Sequence, residues 1–350
     1  MLTDPEFVRR WLTHRAEVLG IDAGSLAVVE VRPMSRGVSR QTWSVLVRDR
    51  SGEHPLMVRR DHPAGSVIPT SLDTEYAVYV ALGATDIPHA RALWWEDDPA
   101  WMPDGRPAYI REKVDGDWRL PALAADPADV ADERLALARE HLTRLAQVHA
   151  VDWRAVGVDR VVPTPSSPAR AAEELIDHLV AELRRYRGSV GVAAAEAVVS
   201  LRERAPRDLD RLVFCKGTNG HGEEVWRDGR IVAMSDWELA VIGDPAYDFM
   251  QCQELLADVV VDGHRRWGMP EALDFYAQLT GHVITDERLR WYRDLMALQQ
   301  HVYTQHAAWV VENRADPPLR FVWTATEVAF RSELRLAADH VGDLLTESVA

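Results

Sequence analysis

The residues best suited to chemistry lie in one acidic, glycine-rich stretch between positions 215 and 238. Glu223 ends a loop that begins Cys215-Lys216-Gly217-Thr218, and Asp236 follows the apolar segment from Arg230 to Met234. A turn at Asp228-Gly229 would join the flanking segments as a β-hairpin. Its two loops could aim their acidic residues into one cleft, where paired carboxylates suit a divalent cation such as Mg²⁺. A glycine-rich hairpin with solvated acids fits the local pattern equally well.

A second motif continues directly from the first. The run Asp236-Trp237-Glu238-Leu239-Ala240 is followed by Gly243-Asp244-Pro245-Ala246-Tyr247-Asp248. Together they closely resemble a motif of the aminoglycoside phosphotransferase and choline kinase-like superfamily, which has the protein-kinase fold. The resemblance implies that Asp236 binds Mg²⁺ and that Asp248 supports the catalytic loop from behind. It extends over almost the whole chain and is strongest from Gly229 to Phe249.

The catalytic loop departs from the family's pattern. Members normally carry His-Gly-Asp, then four residues and an Asn, ahead of the metal-binding Asp. An ungapped count places Lys216-Gly217-Thr218 and Glu223 at those positions. Thr218 therefore stands where the acceptor's proton would be taken up, and a threonine is no base near neutral pH. Glu223 stands where the second metal ligand would be, and a carboxylate oxygen is at least as good for Mg²⁺ as an amide oxygen.

The resemblance assigns a nucleotide, ATP or another NTP, to the N-terminal part of the chain. Arg59 ends a strand predicted from Pro55 and would contact the α- and β-phosphates. Glu75, on a helix predicted over Ser71 to Leu82, would face inward and pair with Arg59. Both residues could instead be surface charges.

Two further segments complete the predicted nucleotide site. The loop between the strands predicted at Leu26 to Arg32 and Thr42 to Arg48 would cover the phosphates, with Ser39 among its ligands. A hairpin turn without a ligand fits that loop nearly as well. Backbone atoms near Glu112 to Val114 would hydrogen-bond the base, so the side chains there say little about which base is bound.

The remainder of the chain is predicted to be mainly helical. A long amphipathic helix is expected from Pro127 to His149, where a capping or packing histidine is favoured over a catalytic one. Helices over Ala169 to Tyr186 and Val192 to Glu203 would help to form an acceptor pocket, by the resemblance. Beyond Asp248 the pattern predicts helices only, and the segment from Gln299 to His306 could line that pocket.

Composition limits the class of protein. With 350 residues, 47% hydrophobic and 27% charged, the chain is long enough for two lobes of an ordinary globular protein. A formal net charge of −15 disfavours nonspecific nucleic-acid binding. The sequence contains no apolar run long enough to span a membrane. Its two cysteines, Cys215 and Cys252, have no metal-type spacing and fit a reducing cytoplasm.

These observations predict an α+β, protein-kinase-like fold with two lobes. Residues 1–113 would form a small β-sheet lobe that binds nucleotide, and residues 114–350 a larger, mostly helical lobe for catalysis and acceptor binding. The predicted function is ATP- and Mg²⁺-dependent phosphoryl transfer to a small molecule, with Lys216 helping to neutralise the phosphoryl charge. Transfer without a base would be slower, since a general base contributes roughly 10²–10⁴-fold.

Two alternatives remain open at this point. The altered loop also fits a nucleotide- or ligand-binding pseudo-phosphotransferase without turnover. The same cleft could also be reused for other chemistry, because the loop gathers reactive side chains. Those residues are Cys215, Lys216, His221, Glu223 and Glu224.

Overall fold

The N-terminal part of the chain is built on one antiparallel sheet. The computed structural model describes residues 2–34, 40–187, 190–220, 222–252 and 255–347, with side chains through residue 338. Five strands lie in the order β1-β2-β3-β5-β4, so the three strands predicted before residue 61 are confirmed with small shifts at their ends. The strands are β1 (Ala27–Met34), β2 (Arg40–Asp49), β3 (Gly52–Asp61), β4 (Ala92–Glu96) and β5 (Ala108–Glu112).

Two short helices, α1 (Pro5–His14) and α2 (Ala16–Leu19), cover one end of this sheet. Trp11 is fully buried, and its indole N–H donates to Oε2 of Glu96 at 2.8 Å. Arg15 donates to both oxygens of the same carboxylate, at 2.7 and 2.9 Å. A buried carboxylate therefore ties the helices to β4.

The remaining helices form most of the C-terminal part. The first of these helices, α3 (Leu72–Leu82), follows β3 and packs against β4. The long helix predicted from Pro127 is α5, and it begins at Ala131, four residues later than predicted. The packing of α10 against α6, α7, α8 and α12 forms the largest apolar cluster. The helices beyond the sheet are α4 (Pro121–Ala124), α5 (Ala131–His149), α6 (Ala171–Arg187), α7 (Val192–Glu203), α8 (Ala246–Phe249), α9 (Met269–Thr280), α10 (Asp286–Asn313), α11 (Leu319–Trp323) and α12 (Ala329–Glu347).

Two small strand pairs lie between the sheet and these helices. The predicted hairpin consists of β7 (Glu224–Arg227) and β8 (Arg230–Met234), and the turn residues Asp228 and Gly229 both have positive φ. Before and after it, β6 (Val213–Cys215) pairs antiparallel with β9 (Val241–Gly243). These two pairs carry the sequence motifs singled out above.

The prediction that only helices follow Asp248 is wrong. A hairpin of β10 (Val259–Val261) and β11 (His264–Trp267) turns at Asp262-Gly263, where both residues have positive φ. The helix expected from Phe249 to Leu256 is limited to the single turn of α8, which ends at Phe249. Asp-Gly between apolar segments is a hairpin signal, and it outweighs the helical reading here.

In the part of the chain that the structure describes, no helix has both the length and the apolar character needed to cross a membrane.

Replacing Glu96 by Gln tests the attachment of the N-terminal helices. Burial alone would raise the pKa of Glu96, but the hydrogen bonds from Arg15 and Trp11 hold this pKa below its usual value of 4.5. The charged form therefore stabilises the fold above pH 4.5, and this contribution is lost as the pH falls through the lowered pKa. We expect Glu96→Gln to reduce the free energy of unfolding at pH 7 by about 2–4 kcal/mol, because it removes the buried charge that Arg15 contacts most closely and leaves this arginine only Asp98, at 3.4 Å.

The matched control is Glu53→Gln, which also removes a carboxylate paired with an arginine, Arg48, but at an exposed position. We expect that change to cost less than about 1 kcal/mol. Denaturant titrations at pH 7 and pH 4 measure both effects. Equal losses for the two variants at pH 7 would contradict this account.

Candidate active site

Glu223 and Asp236 lie side by side at the open end of the β7–β8 hairpin. The strands pair Glu224 with Met234, and the backbone N–H of Ser235 donates to the carbonyl of Glu223 at 2.9 Å. The two carboxyl groups consequently share a hydrogen bond. Burial and the negative charge of Asp236 raise the pKa of Glu223 to about 8, so Glu223 holds the shared proton at neutral pH.

Arg59 connects this carboxyl pair to the sheet. Its Nη1 lies 2.5 Å from Oε1 of Glu75 on α3 and 3.8 Å from Oδ1 of Asp236. Burial alone would raise the pKa of Asp236, but the charge of Arg59 lowers it below its ordinary value. The structure thus brings Arg59 and Glu75 together, as the spacing predicted, and it also places Asp236 beside them. Phosphate binding by this pair stays a prediction.

A second buried arginine, Arg40, extends the charged network, and the sequence reasoning did not assign it a role. Its Nη1 lies 2.7 Å from Asp61, and its Nη2 donates to the carbonyl and hydroxyl oxygens of Thr70 at 3.0 Å. Glu75 and Glu238 lie 3.9 and 3.8 Å from the same guanidinium. Arg40 and Asp61 are directly opposite each other in the antiparallel pairing of β2 with β3. The register of this predicted strand pair is the one signal by which the sequence could have indicated the ion pair.

Asp248 holds the loop that carries Lys216, Gly217 and Thr218. Its carboxylate accepts from the backbone N–H groups of Lys216 at 2.8 Å and Gly217 at 2.7 Å. The side chains of Asn219 and His149 lie 3.0 and 2.9 Å from it. Four partners on one buried carboxylate fix the path of the backbone here, and His149 packs against this carboxylate at the end of α5.

Gly217 lies where the backbone requires a glycine. Its φ is +84°, and a Cβ at this position would lie 2.0 Å from the carbonyl oxygen of Leu239. The loop therefore passes directly over the segment that follows Asp236. Any side chain larger than hydrogen would push these two segments apart.

Lys216 has a fully buried side chain. Its ammonium nitrogen donates to the backbone carbonyl of Thr218, lies 3.6 Å from Oε1 of Glu224, and lies 5.6 Å from the centroid of the Trp237 ring. The hydroxyl of Thr218 donates to the backbone carbonyl of Asp236. The ammonium group thus holds the loop's own backbone, and the hydroxyl ties the loop to the backbone at Asp236.

Cys215 and Glu224, which flank this loop, are both buried. Burial raises the pKa of the Cys215 thiol well above its ordinary value, so a nucleophilic thiolate is disfavoured here. Burial also raises the pKa of Glu224, to about 7, against the opposing effect of Lys216. His221 lies outside the described residues.

The other predicted nucleotide contacts lie along β5 and the segment that follows it. The carboxylate of Glu112 pairs with Arg91 at 2.8 Å, and its backbone N–H donates to the carbonyl of Arg91 at 3.0 Å. Among the described residues, no hydrogen bond is made by the backbone N–H of Val114. That group is therefore the available donor in this segment. Ser39 falls outside the described residues.

A cavity of about 440 Å³ begins at Glu238, two residues after Asp236. Its walls come from the start of α3, the connector at residues 163–165, α6, the segment after Asp236, and α10. Gln299 and Tyr303 of the segment predicted to line an acceptor pocket are among the lining residues, whereas His306 bonds to the carbonyl of Val67 instead.

Comparison with known proteins assigns the chain to a family. The sequence model of the phosphotransferase enzyme family matches residues 30–292, so the chain belongs to that family. The predicted resemblance is thereby confirmed.

Solved structures confirm the two-lobed, protein-kinase-like fold. A protein from Ralstonia eutropha JMP134 assigned as an aminoglycoside phosphotransferase is 21% identical, with a TM-score of 0.65 over 95% of this chain and 97% of that one. Plasmodium vivax ethanolamine kinase is 14% identical, with a TM-score of 0.60 over 93% and 90%. A thermostable mutant of aminoglycoside phosphotransferase APH(4)-Ia, in a ternary complex with ADP and hygromycin B, is 14% identical, with a TM-score of 0.56 over 95% and 97%.

A curated relative is considerably longer than this chain. Mouse acyl-CoA dehydrogenase family member 10 is 26% identical over 248 residues, which is 64% of this chain. The matched segment spans 20% of that relative's length. Its activity therefore does not transfer to this chain.

Substituting Gly217 by Ala tests whether the close approach to Leu239 determines the loop. We expect Gly217→Ala to lower the free energy of unfolding by at least about 2 kcal/mol, since it combines a left-handed φ with a backbone clash. Gly229→Ala is the matched control, because φ is +70° there but nothing lies within 4 Å of the new Cβ. That control should cost only about 1–2 kcal/mol. Denaturant titration compares the two, and a Gly217 variant as stable as the Gly229 variant would refute the clash.

Proposed function

We propose that this protein is an ATP- and Mg²⁺-dependent phosphotransferase that acts on a small molecule. One observation carries the proposal: the carboxyl groups of Glu223 and Asp236 converge at the end of one hairpin, next to the Arg59–Glu75 ion pair. Membership of the phosphotransferase enzyme family supports it. Residues that the resemblance names on the sheet, on α3 and on the hairpin therefore lie close together.

The donor set fits a divalent cation. Oδ1 of Asp236 is buried and has no hydrogen-bond partner among the described residues, and the neighbouring Glu223 keeps its proton because two adjacent carboxylates repel. A cation bound by one carboxylate oxygen of Asp236 and one of Glu223 would replace the proton on Glu223 and remove the repulsion between the two groups. When bound, Mg²⁺ would supply charge neutralisation to the phosphates.

The nucleotide would lie between the sheet and the hairpin. Arg59, held by Glu75, would face its phosphates, and Ser39 would belong to the loop above them. The free N–H of Val114, with the backbone at Glu112, would bind the base. Structures of family-like folds with ADP bound support a nucleotide here. Residues 1–113 would accordingly form the nucleotide lobe and residues 114–350 the catalytic and acceptor lobe.

The catalytic loop would position the reactants without abstracting a proton. Thr218 is not basic at neutral pH, and its hydroxyl is already donated to the carbonyl of Asp236. Phosphoryl transfer depends mainly on positioning and on stabilisation of charge, so the reaction would proceed without a strong base. Lys216 contributes its positive charge from beneath the loop; this charge also lowers the pKa of Asp236, after the larger effects of burial, Arg59 and Glu223.

A second candidate function is nucleotide binding without transfer, as in a pseudo-phosphotransferase. The residue that stands where the family's base would be is Thr218. It is not a base, and its hydroxyl already donates to the carbonyl of Asp236, which favours this second candidate. Reuse of the cleft by the loop's cysteine and lysine is less well supported, since both side chains are fully buried. Two free cysteines and an acidic surface suit a cytoplasmic enzyme with no nucleic-acid partner.

Asp236→Asn tests the proposal. The wild-type protein should be stabilised thermally by ATP more strongly with Mg²⁺ than without it, and should consume ATP with some acceptor from a panel of alcohols, amines and acids. We expect Asp236→Asn to lose the Mg²⁺-dependent part of the stabilisation and at least about a hundredfold in turnover, because one charged metal ligand is removed.

The matched control for this test is Asp228→Asn, the same chemical change at the opposite, exposed end of the hairpin. It should behave as the wild type does. Magnesium-dependent ATP binding without any turnover would favour the second candidate. No ATP binding at all would remove both.

A further inference from the structure

The cavity of about 440 Å³ adjoins the charged network, although neither Glu223 nor Asp236 lines it. Glu238 lines it, two residues after Asp236, and Thr70 and Ser71 line it just before α3 begins. The hydroxyl of Thr70 donates to Glu238 at 2.9 Å, which closes the end of the cavity next to the charged network. The volume falls within the range of about 300–1,000 Å³ common for small-molecule sites.

The walls of this cavity are mainly apolar. More than half of the lining residues are aliphatic residues or prolines, and the described lining contains neither Lys nor Arg. Leu175 and Leu179 on α6 face Leu295 and Val302 on α10 across it. An anionic acceptor would therefore find no lysine or arginine along these walls, only the imidazole of His178, to offset the cost of its desolvation.

Each acid on the walls already has a hydrogen-bond partner within the protein. Glu174 accepts from the backbone N–H and the hydroxyl of Ser166, and Arg170 lies 3.9 Å away. Glu182 accepts from the hydroxyl of Tyr186 at 2.5 Å, and Arg185 lies 3.6 Å from it.

The third acid, Glu238, accepts from Thr70 and lies 3.8 Å from Arg40. A polycationic acceptor would thus have to displace internal partners at all three acids.

A few polar groups remain to orient a ligand. The hydroxyl of Tyr247 accepts from Nε2 of Gln299 at 3.2 Å, and Tyr303 lies on the same wall. Burial raises the pKa of Tyr303 well above its ordinary value, so it stays a neutral donor. This environment suits an apolar body with one or two uncharged polar groups.

We propose that this cavity is the acceptor site and that its substrate is a mainly apolar, uncharged alcohol. The proposal rests on the proposed phosphotransferase function. The alcohol oxygen would form a bond to the γ-phosphorus of ATP, the bond from that phosphorus to the β–γ bridging oxygen would break, and ADP would leave with the electron pair. The products are the phosphate ester, ADP and one proton, which passes to water.

A charge-matched series of acceptors tests the proposal. Octan-1-ol, 7-hydroxyheptanoate and 7-aminoheptan-1-ol have similar length and one hydroxyl each, but differ in the charge of the far end. With Mg²⁺ and ATP, we expect kcat/KM for octan-1-ol to exceed that for either charged compound by at least about tenfold. Lengthening the series from hexan-1-ol to octan-1-ol should raise kcat/KM about fourfold per methylene.

A wall variant locates the effect in this cavity. Leu175 is half-buried and lines the cavity, so Leu175→Trp should fill it and reduce kcat/KM for octan-1-ol at least about tenfold. Val199→Trp, at an exposed position on α7, is the matched control and should change nothing. Thermal melting checks that both variants are folded, and stabilisation by Mg²⁺ and ATP checks that the nucleotide site is intact.

The outcomes distinguish failure of this inference from failure of the proposed phosphotransferase function. Preference for the neutral alcohol that disappears in Leu175→Trp supports the inference. Turnover that is faster with either charged compound overturns it, although the phosphotransferase function stands. If Mg²⁺ and ATP bind but no acceptor reacts, thermal stabilisation by octan-1-ol replaces kcat/KM as the readout, and equal stabilisation in wild type and Leu175→Trp overturns the inference. Failure to bind Mg²⁺ and ATP refutes the proposed function and this inference with it.

Discussion

The central constraint of this structure is the repulsion between two carboxyl groups that the β7–β8 hairpin forces together. Glu223 and Asp236 cannot both ionise cheaply in a partly desolvated cleft unless positive charge lies nearby. Arg59, Lys216 and Arg40 supply positive charge to Asp236, and Glu223 keeps a proton. The repulsion is thus a property of the folded chain, set by strand pairing.

That constraint explains how the sheet and the helical part are joined. Arg59 extends from β3 to Asp236, Glu75 holds it from α3, and Arg40 links the same glutamate to Glu238. Each buried arginine interacts with acids on both sides of the cleft. Removing one member would leave buried charges without partners, which is costly, so the network is expected to behave as a unit.

Much of the site could be predicted because its parts are local. The Asp-Gly turn fixed the hairpin, the hairpin fixed the neighbourhood of Glu223 and Asp236, and helical spacing turned Glu75 inward. The place of Lys216 was different. Its burial depends on α5 and β7 closing around the loop, and no short-range pattern records that. The role of Arg40 could be predicted only from its partners in the folded chain, which are Asp61 on the neighbouring strand β3 and Glu75 on α3.

The errors beyond Asp248 have a related cause. Only Val259 to Val261 and Trp267 are apolar in this segment, too few to predict a pair of strands, and the positive φ at Asp262 and Gly263 forms the hairpin turn. Likewise, the apolar walls of the cavity come from elements more than a hundred residues apart, such as α6 and α10. Each wall taken alone is an ordinary core-facing stripe, so composition could not distinguish the cavity from packing.

The two cysteines provide a built-in probe of the loop's integrity. The Cys215 sulfur lies 3.4 Å from the carbonyl of Asp244, the Cys252 sulfur lies 3.3 Å from that of Asp248, and both thiols are fully buried. An alkylating reagent can reach either sulfur only when the backbone around Asp248 opens. The rate of alkylation would therefore measure how often the loop from Cys215 to Thr218 opens, without any label being introduced.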